Sequence, residues 1–190
     1  IKKVLSVMRD LGSLDILINN AAFVGTSNLS GWNEDYFDQS IESWESAITV
    51  NLTFPNELIK ASIPFFEHSK DPNILNMGSI YGSIAPNWDI YKNTNINNPA
   101  GYNVSKAGLI QLTRYLATYL GPKGIRVNSL SPGGIFNNQN ELFVQNYKSY
   151  TPLGEMLSFE EVAETVFLIT SDKFKNLTGQ DITLDGGFSL

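Results

Sequence analysis

Hydrophobic residues along the chain follow two patterns, one typical of amphipathic helices and one typical of buried strands. Four short apolar runs suit the strands of a parallel sheet that is covered on both faces; these runs are residues 14–18, 73–77, 125–130 and 181–184. Apolar residues at helical spacing predict helices between them; these helices cover residues 1–11, 40–63, 102–120 and 158–169. Because strands alternate with helices, the pattern predicts right-handed βαβ crossovers and a parallel sheet.

The second predicted helix contains a proline in its interior. Proline has no N–H, so the carbonyl oxygen of Asn51 has no helical donor at Pro55. A buried carbonyl without a partner is costly. We therefore expect a kink at Pro55 and another donor for the Asn51 oxygen. A tighter 3₁₀-type bond from the N–H of Phe54 is the alternative way to pair this oxygen.

Three polar stretches separate the predicted elements and are interpreted as loops; they are residues 23–39, 84–100 and 136–157. The stretch 84–100 contains five Asn residues and two prolines. A loop of this length is usually functional or disordered. Trp88 and Tyr91 favour an ordered flap, although packing against the body of the protein explains these two aromatic residues equally well.

The composition restricts the class of protein. With 190 residues, 42% of them hydrophobic and 17% charged, one soluble globular domain is expected. The net charge of −6 disfavours binding to nucleic-acid phosphates, and no apolar run approaches the ~18 residues of a membrane span. The chain has no Cys, which fits a cytoplasmic location and excludes thiolate metal sites, and we predict no metal site. A Ser-His-Asp hydrolase built on the only histidine, His68, is not favoured because no Gly-x-Ser-x-Gly motif is present.

Tyr102 and Lys106 are four residues apart at the start of the third predicted helix, so their side chains lie on the same face. A free tyrosine has a pKa of about 10 and is a poor acid or base near neutral pH. An adjacent ammonium favours the phenolate, and lowering the pKa by ~3 units requires roughly 4 kcal/mol. Such a tyrosine can exchange protons with a substrate hydroxyl or carbonyl. Taken alone, this spacing more often means that a lysine on the surface follows, one helical turn later, a tyrosine at the edge of the core.

Other motifs in the same chain strengthen the catalytic interpretation. Small or polar residues follow each strand; they are Asn19-Asn20-Ala21-Ala22, Ser79, Pro132-Gly133 and Asp185-Gly186-Gly187, with Thr178-Gly179-Gln180 before the last strand. Together with Asn51, Tyr102 and Lys106, these residues resemble the short-chain dehydrogenase/reductase family in its single-domain branch, along essentially the whole chain. The resemblance implies a Rossmann-like, doubly wound parallel sheet with flanking helices.

The resemblance also implies an NAD(P)-dependent oxidoreductase that interconverts a secondary alcohol and a carbonyl compound. Tyr102 would be the acid and base, and Lys106 would lower its pKa and hold the nicotinamide ribose hydroxyls. Ser79 would orient the substrate oxygen, and the main-chain oxygen of Asn51 would hold a water that reaches Lys106. The residues implied in cofactor binding are Asn20, Ala21, Ala22, Tyr102, Lys106, Pro132, Gly133, Ile135 and Asn137. The choice between NAD and NADP stays open, and a homo-oligomer, a dimer or a tetramer, is expected.

Several features depart from the family pattern. The Gly-rich cofactor turn is absent, and the half of the fold that carries it needs on the order of 60 residues. We therefore interpret residues 1–190 as the C-terminal two-thirds or so of one cofactor-binding domain. Asn137 stands where the family commonly has Thr, and Ala22 stands in place of Gly. About ten extra residues lie between Ser79 and Tyr102, and loops of that kind tend to be functional.

Three other interpretations of the same residues stay open. One is an epimerase or dehydratase of the nucleotide-sugar branch. Another is a sugar-modifying reductase of a surface-polysaccharide pathway, with which the resemblance is also compatible. The third is an inactive, truncated module that serves only in binding or oligomerisation.

Overall fold

A computed structural model describes residues 1–24 and 29–190 of the chain. Residues 25–28, part of the predicted loop 23–39, lie outside the described residues. Four parallel strands form one sheet in the order β1-β2-β3-β4; they are β1 (Ile16–Asn19), β2 (Asn73–Met77), β3 (Arg126–Pro132) and β4 (Asp181–Leu184). All five residues of β2 are buried, as expected for a central strand with helices on both faces.

Helices cover the two faces of the sheet, which confirms the predicted fold class. The described residues form α1 (Lys2–Leu11), α2 (Ile41–Ile48), α3 (Phe54–Ser62), α4 (Ala100–Leu120), α5 (Glu141–Ser149) and α6 (Phe159–Thr170). Ile74 of β2 packs in a cluster with α1, α3 and α4. Its neighbour Leu75 packs on the opposite face in a cluster with α6, because successive side chains of a strand point to opposite faces. Within the described residues, no helix is long and apolar enough to cross a membrane.

The irregularity predicted at Pro55 is a π-helical turn, Thr49–Thr53, between α2 and α3. The N–H of Phe54 donates to the carbonyl of Thr49, five residues earlier, and not to Asn51 in a 3₁₀-type bond. The alternative based on Phe54 is therefore wrong. Since Pro55 cannot donate to Asn51, the helix widens by one residue at this point instead of tightening.

The stretch 136–157 is not the loop that was predicted, because it contains α5. The side chain of Asn140 accepts hydrogen bonds from the N–H groups of Leu142 (3.0 Å) and Phe143 (3.3 Å) and begins the helix. Phe143 and Tyr147, one turn apart, are its buried residues. The stretch 84–100 contains a short 3₁₀ turn, Trp88–Tyr91. Ile90 and Tyr91 of this turn pack in a cluster with Phe143 and Tyr147, as the packing alternative expected, and a flap function stays a prediction.

Candidate active site

The predicted site residues come together at one edge of the sheet, where the parallel strands end. Asn20, Ala21 and Ala22 follow β1, Ser79 follows β2, and Pro132, Gly133, Ile135 and Asn137 end or follow β3. Tyr102 and Lys106 lie in the first two turns of α4, which packs against β2 and β3. This edge is where ligands bind in open α/β sheets.

Ser79 begins a short 3₁₀ turn, Ile80–Gly82, that lies directly on α4. Its Oγ accepts a hydrogen bond of 3.2 Å from the N–H of Tyr81. A Cβ at Gly82 would lie 2.9 Å from the main-chain carbonyl carbon of Lys106 and 2.7 Å from Cδ1 of Ile110. Glycine at this position therefore lets the turn approach α4 and places Ser79 beside Tyr102.

The phenol of Tyr102 has a raised pKa in this structure. Burial is the main cause, and a hydrogen bond with Ser79 offsets it in part. The phenol of Tyr91 raises this pKa further through its charge. Nζ of Lys106 lies 5.7 Å from the centre of the Tyr102 ring. Desolvation of the phenol dominates the net shift in this structure, and the lowering of the Tyr102 pKa by Lys106 stays a prediction. At neutral pH the phenol carries its proton.

Lys106 is a buried cation that interacts with a main-chain oxygen. Its side chain is nearly inaccessible, at 3% exposure, and Nζ donates to the carbonyl oxygen of Met77 at 2.6 Å. Burial lowers the pKa of the ammonium to about 8. Among the described residues, no carboxylate forms an ion pair with it. An ammonium has three donors, so two remain for oxygen atoms of a ligand.

Asn51 is buried in the π-helical turn and connects two parts of the site. Its Oδ1 accepts from the N–H of Phe23 at 2.7 Å, and its Nδ2 donates to the Phe23 carbonyl at 3.1 Å. The same Nδ2 donates to Oγ of Ser105 at 3.0 Å, the residue before Lys106. The side chain of Asn51 thus holds the loop after β1 against the start of α4. The predicted water relay through its main-chain oxygen stays a prediction.

The segment after β3 fits the nicotinamide end of a cofactor in part. Among the described residues, none accepts a hydrogen bond from the N–H of Ile135, so this donor is free for a ligand. The N–H of Asn137 is already donated to Oε1 of Gln139 at 2.7 Å, which leaves only its exposed side chain. The free donors of Lys106 suit ribose hydroxyls, and the free N–H of Ile135 suits the oxygen of a carboxamide.

Tyr147 of α5 also shapes this segment, and it was not among the site residues predicted from the sequence. Its hydroxyl accepts a hydrogen bond of 2.6 Å from the N–H of Gly134. A Cβ at Gly134 would lie 2.8 Å from the Tyr147 ring, so the glycine is required for close packing here. Tyr147 stacks on Phe188 with ring centres 4.3 Å apart. An Asn cap followed by Phe143 and Tyr147 one turn apart was the signal for this helix.

Tyr81 is the second site residue that sequence reasoning missed. It lies two residues after Ser79, and its hydroxyl is hydrogen-bonded to that of Tyr91 at 2.8 Å. Burial, followed by the phenols of Tyr91, Tyr147 and Tyr102, raises the pKa of Tyr81. The side chain of Tyr81 therefore stays protonated close to Tyr102.

Comparisons with known proteins agree with this geometry. The family model described as enoyl-(acyl carrier protein) reductase matches residues 2–189. The chain is 33% identical over 181 residues to the post-translational flagellin modification protein A of Campylobacter coli, covering 93% of this chain and 68% of that protein. It is 34% identical over 196 residues to the 7α-hydroxysteroid dehydrogenase of Bacteroides fragilis, covering 96% and 67%. It is 32% identical over 188 residues to the 3-oxoacyl-[acyl-carrier-protein] reductase FabG of Thermotoga maritima, covering 97% and 70%.

Solved structures show the same relationship. A short-chain dehydrogenase from Leptospira borgpetersenii with bound NAD+ superimposes with a TM-score of 0.87 at 37% identity, covering 100% of this chain and 70% of that one. RhlG of Pseudomonas aeruginosa in complex with NADP gives a TM-score of 0.84 at 26% identity, covering 99% and 72%. The chain therefore belongs to the short-chain dehydrogenase/reductase family of oxidoreductases, which confirms the resemblance seen in its motifs.

Proposed function

We propose that this protein interconverts a secondary alcohol and a carbonyl compound with NAD or NADP, and that Tyr102 is its acid and base. The observation that carries the proposal is the grouping of Ser79, Tyr102 and Lys106. The side chain of Ser79 interacts with the Tyr102 phenol, and a buried ammonium, which has no carboxylate partner among the described residues, lies one helical turn further along α4.

The cofactor supplies hydride chemistry when it is bound, since a nicotinamide exchanges a hydride with the carbonyl carbon of the substrate. The two remaining donors of Lys106 would hold its ribose hydroxyls, and the N–H of Ile135 would meet its carboxamide. The other predicted cofactor residues would line the same edge of the sheet; they are Asn20, Ala21, Ala22, Pro132, Gly133 and the side chain of Asn137.

The chain's own residues control the proton. In the direction of reduction, the hydroxyls of Ser79 and Tyr102 donate to the carbonyl oxygen, and Tyr102 transfers its proton as that oxygen gains negative charge. The raised pKa of Tyr102 keeps the donor protonated before this step. Lys106 then stabilises the phenolate that forms, because a cation near a phenolate favours the charged form. The main-chain oxygen of Asn51 would hold a water that reaches Lys106, and this water would relay protons to and from the ammonium.

Tyr102→Phe in the complete protein tests this proposal. We expect kcat to fall to less than a few per cent of the wild-type value, since the variant lacks only the phenolic oxygen. Suitable substrates follow from the named relatives: acetoacetyl-CoA, a 3-oxoacyl thioester, with NADH or NADPH, and a 7α-hydroxysteroid with NAD+ or NADP+. Cofactor affinity, measured by fluorescence of the reduced nicotinamide, should stay within about threefold. Tyr36→Phe removes the same atom from an exposed ring far along the chain from α4 and should leave kcat unchanged. Turnover by Tyr102→Phe near the wild-type rate would exclude Tyr102 as the acid and base.

We further propose that the protein assembles with copies of itself through the outer face of α4. Tyr115 and Tyr119 stack there with ring centres 6.2 Å apart while 61% and 64% exposed, and Val104 is 47% exposed. Exposed apolar groups on one helix face favour a symmetric contact. Sedimentation velocity at micromolar concentration should show a dimer or tetramer, and a monomer would contradict this assembly.

A further inference from the structure

A row of aromatic rings connects α5 with the segment 84–99, which precedes α4. Tyr91 of this segment lies 5.6 Å from Phe143 of α5, measured between ring centres. Phe143 lies 6.1 Å from Tyr147 of the same helix, and Tyr147 stacks on Phe188 at 4.3 Å. Contacts between rings stabilise packing beyond the burial of their area. The ring of Tyr91 therefore helps to fix the buried face of α5.

Two hydrogen bonds and a buried apolar residue extend this contact along the helix. Asn146 Nδ2 donates to the carbonyl oxygen of Ile90 at 3.3 Å. Tyr150, directly after α5, donates its hydroxyl hydrogen to Asp89 at 3.2 Å. Ile90 is fully buried and belongs to the same apolar cluster as Phe143. The contacts come from successive turns of α5, so the whole helix lies against the segment.

Tyr147 connects the position of α5 to the main chain after β3. Its hydroxyl accepts the N–H of Gly134 at 2.6 Å. A Cβ at Gly133 would lie 2.8 Å from the same hydroxyl oxygen, and a Cβ at Gly134 would lie 2.8 Å from the Tyr147 ring. The main chain of both glycines is thus packed directly on Tyr147. A shift of α5 displaces this main chain, and the next residue is Ile135, whose N–H is available to a ligand.

We propose that Tyr91 is a positioning residue for the nicotinamide end of the cofactor site and that it acts through α5 and Tyr147. This inference rests on the proposed function and gives the segment 84–99 a role in it. The ring of Tyr91 keeps α5 in the place where the N–H of Ile135 can meet the carboxamide. A group held in place before binding lowers the cost of ordering the site.

The competing explanation is that these rings only stabilise the fold. In that case removal of the Tyr91 ring lowers the melting temperature, and it leaves every ligand affinity unchanged or weakens all of them alike. NADH and ADP-ribose separate the two explanations. ADP-ribose keeps the adenosine, the diphosphate and the second ribose of the cofactor but lacks the nicotinamide. A positioning role therefore predicts a loss of affinity for NADH alone.

Two variants isolate the ring of Tyr91 from its hydroxyl. Tyr91→Leu removes both, whereas Tyr91→Phe keeps the ring and removes only the hydroxyl. That hydroxyl is hydrogen-bonded to Tyr81 at 2.8 Å and to Asn98 at 2.9 Å. Because both variants lack these bonds, the difference between them reports the ring alone.

Binding should be measured by calorimetry with the complete protein. NADPH and 2′-phospho-ADP-ribose replace the two ligands if the wild type prefers NADPH. Tyr91→Leu should bind NADH roughly fivefold to tenfold more weakly than the wild type, the value of one hydrogen bond. Its affinity for ADP-ribose, and both affinities of Tyr91→Phe, should stay within about twofold of the wild type. If Tyr91→Leu does not fold, Phe143→Leu interrupts the same row of rings and should show the same selective loss.

Hydrogen–deuterium exchange checks the path through Tyr147. The N–H of Gly134 should exchange faster in Tyr91→Leu than in Tyr91→Phe, since its acceptor moves with α5. Unchanged exchange there, equal losses for NADH and ADP-ribose, or equal behaviour of the two Tyr91 variants would overturn the inference. Each of these results leaves intact the proposed function, which Tyr102→Phe tests separately. If the wild type binds no nicotinamide cofactor, the proposed function fails and this inference fails with it.

Discussion

The turn after β2 and the segment 84–99 both border Tyr102, but they are held in place by different kinds of contact. In the turn, Ser79 Oγ pairs with a main-chain N–H, and Gly82 lets the backbone lie directly on α4. The segment 84–99 is attached mainly through side-chain amides and aromatic rings. The groups proposed for catalysis are thus positioned by main-chain geometry, while the position of the segment depends on side chains.

One attachment of the segment 84–99 joins it to the loop before α2. Asn33 Oδ1 accepts from the N–H of Asn97 at 2.7 Å, and Asn33 Nδ2 donates to the carbonyl of Asn95 at 3.0 Å. These contacts are solvent-exposed. Water can replace each of them, so this end of the segment opens at a low cost in free energy.

The other attachment joins the segment to α5. Asn146 Nδ2 donates to the carbonyl of Ile90 at 3.3 Å, and the rings of Tyr91 and Phe143 lie 5.6 Å apart. Ile90 itself is fully buried. This end resembles a small core, so the segment is firmly held beside α5 and more weakly held beside Asn33. The contrast between the turn and the segment leads to predictions for each.

The largest effect on stability is expected from the buried cation beside the turn. Burial lowers the pKa of Lys106 from 10.5 to about 8. Between these pH values the unfolded chain binds more protons than the folded protein, so the free energy of unfolding rises with pH across this window. The full rise from Lys106 is on the order of 3 kcal/mol. The free energy of unfolding can be measured with urea at pH values from 7 to 10.5. Across this range, the value for the wild type should rise by this amount relative to the value for Lys106→Met.

Lys123→Met is the control for this measurement, because Lys123 is exposed. The free energy of unfolding of this variant should change with pH as that of the wild type does. If Lys106→Met and the wild type keep a constant difference in unfolding free energy across the window, the ammonium is not desolvated as described.

A smaller effect is expected from Gly82→Ala. The added Cβ would meet the main-chain carbonyl carbon of Lys106 at 2.9 Å, and the backbone must move to admit it. Overpacking of this kind typically costs 1–3 kcal/mol. We expect about 2 kcal/mol lower stability and at least a tenfold loss in kcat/KM, since Ser79 moves with the turn. Gly121→Ala, where a Cβ meets nothing within 4 Å, should retain wild-type stability and kcat/KM. If Gly82→Ala kept the kcat/KM of the wild type, the position of this turn would not matter for activity.

The sequence predicted the turn better than the segment, and the reason is the range of the contacts. Ser79 follows a strand, and Tyr102 and Lys106 are one helical turn apart, so local patterns locate them. The contact from Lys106 to the Met77 carbonyl spans 29 residues, and no local pattern reveals it. The burial that raises the pKa of Tyr102 also depends on distant parts of the chain, and the sequence did not predict it.

The segment and α5 were harder to predict, because their order depends on pairings between distant residues. Asn146 meets Ile90 across 56 residues, and Asn97 meets Asn33 across 64. A run rich in Asn has weak local preferences and becomes ordered only when such partners are present. In α5 the local signal existed, since Asn140 caps the helix and Phe143 and Tyr147 form its buried face. The surrounding polar residues concealed it.

The smallest effect is expected at the exposed attachment of the segment, in Asn33→Ala. The variant loses the acceptor for the Asn97 N–H and the donor to Asn95, both at the surface, so stability should fall by only about 0.5–1 kcal/mol. Hydrogen–deuterium exchange should become faster in peptides that cover residues 93–99. Peptides from α4 beyond its first turn and from residues 79–82 should exchange as in the wild type, because main-chain contacts hold the turn. Faster exchange in the turn as well would mean that the two regions open together, and the distinction between them would fail.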